Sequence, residues 1–332
     1  MISDMKKSLD TCLKVGPVTC AIVGGNRSVL HAAQYLRRLG VDLVGLDSID
    51  DVRNLEPNVL AVLIGGDSWV DQFRPELAGK EFGYSEGWDQ TINEIWLWDY
   101  EVGIPGTGSM ASAVSGVSAV IGKPKDRPMV LPAYIPEKWC GIFGASLAFS
   151  LQVANANGNE TNSDRRRIDV SSADILRAWA EQNSGNHAGV PYGWRRNGRT
   201  AVEHGGVFPQ GFFACKDGYI AIQARSRQDW MAILASLGEH EWIVLKEFHN
   251  PFKLSEDDSV IRPLLEMALS TMTRRELLDS AIITGAPMAP VLSAEEAKVW
   301  DVFRPDFVDE TGSLSMPFAI KRSSHKSSKR QK

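Results

Sequence analysis

The sequence predicts an α/β protein with a larger, Rossmann-like domain and a smaller α+β domain. Three observations carry this. Two apolar runs, 18–23 and 41–46, flank a helical pattern over 28–39, which makes a β-α-β unit with a right-handed crossover. A third run, 59–64, is apolar without alternation, as befits a strand of a parallel sheet covered on both faces. Further on, the alternating stretches 212–215 and 219–224 surround Lys216-Asp217-Gly218, a hairpin signal with Asp-Gly at its turn.

A chain of 332 residues that is 43% hydrophobic and 23% charged can build a sizeable core and is too long for one small domain. Apolar runs long enough to span a membrane are absent, and the opening MISDMKKSLDTCLKVGP lacks the apolar stretch of a secretory signal. A soluble cytoplasmic protein without a membrane partner is therefore expected. Cys12, Cys20, Cys140 and Cys215 show no C-x-x-C spacing, which suggests reduced thiols. The six histidines form no H-x-H or H-E-x-x-H pair, so no metal is expected, and neither a G-x-S-x-G elbow nor a phosphate-binding G-x-x-x-x-G-K-[ST] loop occurs. His204, alone beside Gly205-Gly206, reads as a turn residue rather than a general base. The net charge of −5 includes a basic tail, KRSSHKSSKRQK, so the body is more acidic than the total indicates. That balance argues against a nucleic-acid partner.

In chain order, Gly24-Gly25-Asn26 opens the first helix but does not fill G-x-G-x-x-G, so a nicotinamide cofactor is not expected. Residues 73–94 read as irregular surface, and Trp96-Leu97-Trp98-Asp99-Tyr100 leads into Gly103-Ile104-Pro105-Gly106-Thr107-Gly108. The glycines of this loop either admit a ligand to the backbone, with Gly108 the binding candidate, or serve a tight connection. Residues 109–121 carry small side chains at helical spacing, 123–136 are Pro-rich and extended, and 137–153 form a strongly apolar helix. Gly141, Gly144, Ala145 and Ala148 suit that helix to close packing. After a loop over 155–163, RRRIDVSSADILRAW switches from a two-residue to a 3.6-residue apolar period at Ser171-Ser172-Ala173-Asp174.

That corner puts Asp174 in the first turn of a helix, where the positive end of the dipole favours a carboxylate. Such a group can attack an activated acyl carbon. Equally, Ser171-x-x-Asp174 fits a capping box, in which the acid only ties back to the cap residue. Beyond it lie a basic, Gly-rich stretch to 206, helical patterns at 227–237, 261–270 and 273–283, an extended return at 286–291 and a capped helix from Ser293. The predicted boundaries are 15–190 plus 286–320 for the large domain, 198–285 for the small one and 321–332 for a disordered basic tail.

Several segments together resemble the class III CoA-transferases, the CaiB/BaiF family. Gly198-Arg199-Thr200 through Gly206, Pro209, Gly211-Phe212-Phe213, Cys215 and Asp217-Gly218-Tyr219-Ile220 are similar to the family's middle motif. Gly285-Ala286-Pro287-Met288-Ala289-Pro290-Val291 with Glu295-Glu296-Ala297 is similar to its late motif, Asn250-Pro251-Phe252 to the step between, and Ser112-Ala113-Val114-Ser115-Gly116 to the stretch before the long helix. Ile168-Asp169-Val170-Ser171-Ser172-Ala173-Asp174 resembles the family's I/V-D-V-S-x-x-D segment, with Asp174 in the place of a catalytic aspartate.

The resemblance implies transfer of CoA from an acyl-CoA to a carboxylic acid, through an aspartyl mixed anhydride and an enzyme-bound CoA thioester. It implies acyl-CoA as substrate and no permanently bound cofactor. It further implies an interlocked dimer, either a homodimer or a heterodimer with a related subunit, threaded near 183–197 and 285–291. Arg199, Gly205, Gly206, Gln210 and Gly108 are the candidates for CoA or substrate contact, with the glycine pair as a covering loop. Two alternatives come with it. An α-methylacyl-CoA racemase needs a His-Asp base pair, and the nearest match, Leu97-Trp98-Asp99, has Trp98 in place of the histidine. A non-catalytic subunit fits the missing G-x-G-Q segment before residue 167 and the short first domain.

Overall fold

The computed structural model describes residues 19–48, 51, 55, 59–69, 92–122, 125–132, 134–156, 167–183 and 207–300. The chain divides into two compact units, Met1–Gly198 and Arg199–Lys332.

In the first unit, β1 (Thr19–Val23), β2 (Asp42–Leu46), β3 (Val59–Gly65), β4 (Asn93–Trp98) and β5 (Arg167–Ser171) form one parallel sheet in the order β2-β1-β3-β4-β5. The chain leaves β1 to one side through α1 (Arg27–Arg38) and returns to its other side as β3, so the order reverses between β1 and β3. Both faces of the strands carry apolar side chains, as the unbroken run at 59–64 predicts. Cys20, Ala61, Leu63, Ile95 and Leu97 pack with Val29, Ala32 and Leu36 of α1, and with Cys140, Ala145, Ala148 and Leu151 of α4 (Ile135–Ala156). Ala21, Val23, Val62, Ile64, Trp96 and Trp98 form the opposite layer, and the two indoles stack with centroids 6.1 Å apart. The contact between α1 and α4 requires Gly141, because a Cβ there would lie 2.6 Å from the Ser28 carbonyl oxygen.

Three local readings change. Asn93 and Glu94, taken as irregular surface, begin β4 and are 5% and 1% exposed. Their polarity hid a fully buried strand. The single helix over 109–121 is two, α2 (Gly108–Val114) and α3 (Val117–Val120), divided at Gly116, whose φ of 87° is left-handed. Helix α4 starts at Ile135 rather than Glu137, since Pro136 in a first turn forfeits no intrahelical bond.

In the second unit, β6 (Gln210–Cys215) and β7 (Gly218–Gln223) form the predicted hairpin, with Cys215 opposite Gly218. Helices α6 (Arg227–Ser236), α7 (Pro251–Glu256), α8 (Ile261–Ser270) and α9 (Arg274–Thr284) follow, then β8 (Met288–Pro290) and α10 (Ala294–Val299). Phe213, Ile220 and Ile222 from the hairpin pack with Trp230, Ile233, Leu265, Leu269 and Leu277. The return at 286–291 is extended as predicted, but its strand joins this sheet: β8 pairs antiparallel with β7 in the order β6-β7-β8. There β8 completes the ladder edge that β7 leaves free. Residues 301–332 lie outside the described part. No helix among the described residues is long and apolar enough to cross a membrane.

Candidate active site

Ligands of doubly wound sheets sit beyond the carboxyl ends of the strands, next to the order reversal. Here that edge is already bonded to the protein's own acids. Asn26 caps α1, its Oδ1 accepting from Val29 N at 3.0 Å. Asp99, just past β4, accepts from Arg27 N at 2.9 Å, Ser28 N at 2.8 Å and Ser28 Oγ at 2.6 Å. Its carboxylate therefore occupies the helix N-terminus where a dinucleotide phosphate would bind, in line with the unfilled glycine fingerprint.

The β5 corner carries Asp174. Helix α5 (Ser172–Asn183) begins there with Ser171 as its cap: the Ser171 hydroxyl accepts from Asp174 N at 3.0 Å and donates to Asp174 Oδ2 at 2.8 Å. Ala173 N donates to the Tyr100 carbonyl at 3.0 Å, which ties the corner to the end of β4. Arg177, one turn on, donates to Asp174 Oδ1 at 2.9 Å and reaches both Glu101 carboxylate oxygens at 2.6 Å. The Glu101 bonds, ahead of Asp174, push the Arg177 guanidinium further up its already high range. Asp174 thus has both oxygens engaged while its side chain is 56% exposed.

A second acid stands at the same end of the sheet. Glu137, in the first turn of α4, is 3% exposed. Its Oε1 accepts from Gly108 N at 2.9 Å, and its Oε2 has no hydrogen-bond partner among the described residues. Gly108 is glycine for a steric reason, since a Cβ there would lie 2.1 Å from that oxygen. The start of α4 is set by Tyr134, a non-glycine residue at φ 66°, whose carbonyl accepts from Lys138 N at 2.8 Å and whose ring underlies the Arg27 guanidinium at 3.7 Å. Left-handed backbone of this kind costs about 1–3 kcal/mol and collects at functional sites.

Nearby side chains constrain the chemistry. Cys140, one turn beyond Glu137, points its thiol at the Trp98 and Val170 carbonyls at 3.6 and 3.4 Å, and burial pushes that thiol up to about 12. It is consequently a poor nucleophile. Burial, then the charge of Lys138, lowers the His31 imidazole. Trp98 donates its indole N–H to Asp169 at 3.0 Å and is 1% exposed.

Of the predicted contact residues, Gly108 lies against Glu137. Gln210 donates to the Ala224 carbonyl at 2.9 Å inside the second unit, closing the open end of its hairpin. Arg199, Gly205 and Gly206 lie outside the described residues. Glu137 is the group that sequence reasoning passed over, reading it only as a helix start. The available signal was one acid at the head of a helix that is otherwise apolar and Gly-rich.

The first unit is thus a five-stranded doubly wound sheet with carboxylates at the strand ends, and the second an α+β unit. The chain belongs to CoA-transferase family III, whose model matches residues 100–312. Its fold is similar to that of a CaiB/BaiF family protein from Brucella suis, with a TM-score of 0.68, 15% identity and 91% of each chain covered. A hypothetical protein from Mycobacterium tuberculosis is similar too, with a TM-score of 0.67, 15% identity, and 92% of this chain and 94% of that chain covered. No curated protein matches.

Proposed function

We propose that this chain transfers CoA from an acyl-CoA thioester to a carboxylic acid, and that Glu137 is the carboxylate acylated on the way. The observation that carries the reading is the buried Glu137 Oε2, without a partner among the described residues, beside an Oε1 fixed by Gly108 N–H. One oxygen is oriented, the other keeps its lone pairs for attack, and little water competes.

In the cycle, the Glu137 oxygen bonds to the thioester carbonyl carbon, the C–S bond breaks and CoA leaves as thiolate, giving a mixed anhydride. The thiolate then attacks the glutamyl carbonyl, the anhydride C–O bond breaks, and the first acid leaves as its carboxylate. The acceptor carboxylate attacks this glutamyl thioester, expels the thiolate again and forms a second anhydride. Attack of the thiolate on the acceptor's acyl carbon yields the new thioester and restores Glu137. No proton or electron is gained or lost over the cycle. Helix N-termini at α4 and α5 supply positive potential for the developing oxyanions.

Asp174 is the second reading, favoured by its exposure and by the family-like segment around it. The test is CoA exchange between a panel of acyl-CoAs and acids. Glu137→Gln should abolish exchange while Asp174→Asn retains most of it; the reverse pattern transfers the role to Asp174. Arg199 as a phosphate anchor, Gly205-Gly206 as a cover, Gln210 as a substrate contact and an interlocked dimer extend the same proposal.

A further inference from the structure

We propose that Asp67 is a positioning residue for this site, fastening the 99–108 connection so that Gly108 N–H is presented to Glu137. The inference rests on the reading of Glu137 as the acylated carboxylate.

Asp67 lies in the single turn Gly66–Trp69 after β3, and its two oxygens gather donors from three elements. Oδ2 accepts from Asn26 Nδ2 at 2.7 Å and Asp99 N at 2.9 Å, and Oδ1 accepts from Gly106 N at 3.2 Å. Asn26 is itself immobilised, since its amide also donates to the Leu97 carbonyl at 2.7 Å while capping α1. Asp67 thereby joins the α1 cap, the end of β4 and the loop two residues before Gly108. The far side of the loop is held separately, where Arg177 grips Glu101 and Ile104 N donates to the Glu101 carbonyl at 3.0 Å.

Among the described residues every partner of Asp67 is a donor, so only a carboxylate, acceptor on both oxygens, satisfies them all. Burial raises its pKa, ahead of the opposing bonds from Asp99 N and Asn26. Among the described residues, the charged group facing it is Asp99, at the end of β4; the α1 side contributes the neutral Asn26. An amide or a protonated acid at this position sets a donor against at least one N–H and loosens the Gly106 end. Because acyl transfer needs the reacting oxygen held closely, that slack reduces turnover more than it reduces acyl-CoA binding.

The test compares full-length wild type, Asp67→Asn and Asp67→Ala by amide hydrogen exchange, and then by steady-state CoA exchange. The alanine variant should speed exchange in the peptide spanning 99–110 at least about tenfold, with peptides of the second unit unchanged. Its kcat should fall on the order of a hundredfold while KM for acyl-CoA moves less than about threefold, with the asparagine variant between. The acidic limb of the wild-type pH profile, set by protonation of both Glu137 and Asp67, should become shallower in both variants, with the Glu137 part remaining. Unchanged exchange in 99–110, or a loosened loop with full turnover, overturns the proposal. A wild type without any CoA exchange sinks the function reading instead, and the hydrogen-exchange comparison then decides the fastening alone.

Discussion

Gly108 and Glu137 act as one unit, because the space a side chain at 108 would need is filled by Glu137 Oε2. Gly108→Ala should therefore force that carboxyl from its N–H partner, lowering stability by about 1–3 kcal/mol and removing transfer activity. Denaturant titration beside the activity assay checks both. Asp174 has the opposite character: its bonds are local, to Ser171 three residues back and Arg177 three residues on. Ser171→Ala should cost about 1 kcal/mol as a lost helix cap, measurable in the same titration, with the fold unchanged. These two acids mark the limit of what the sequence discloses. The capping of α5 follows from residues 171–174 alone, so it was legible. The isolation of Glu137 depends on Gly108, 29 residues away, and no local pattern signals it.

Among the elements, those specified by their own periodicity were readable: β1, α1, β2, β3, β5 and the β6–β7 hairpin. The errors fall where a distant partner decides. Asn93 and Glu94 begin a buried strand because β3 and β5 flank it, and β8 finds the edge of β7 across the whole α6–α9 segment. Once there, β8 and α10 are clasped by Arg274, which donates to the Val291 carbonyl at 2.9 Å and to Glu296 at 2.7 Å. That bond, with those from Ser293 behind it, holds the Glu296 carboxyl at about 2 against an ordinary 4.5. A carboxyl held below its unfolded value stabilises the fold above that value and loses the contribution as pH falls through the folded one. The stability gap between wild type and Glu296→Gln should thus narrow as pH drops from 4.5 towards 2. A gap independent of pH in denaturant titrations would exclude the clasp.

For the whole molecule, membership of CoA-transferase family III and an α/β fold of two units support the proposal that a carboxylate at the edge of a parallel sheet is acylated. The doubly wound half was legible because parallel strands must be apolar on both faces. Which acid reacts was not, since sequence likeness favoured Asp174 and burial favours Glu137. Light scattering should return a dimer if the two units thread a partner chain, and a monomer would contradict that part of the proposal. Peptide mass spectrometry of the protein mixed with acyl-CoAs and quenched with hydroxylamine reads which carboxylate is acylated. Acylation of Glu137 should leave a hydroxamate on the peptide containing it, dependent on acyl-CoA and absent in Glu137→Gln. A hydroxamate on the Asp174 peptide instead, or none from folded protein with any thioester, would contradict it.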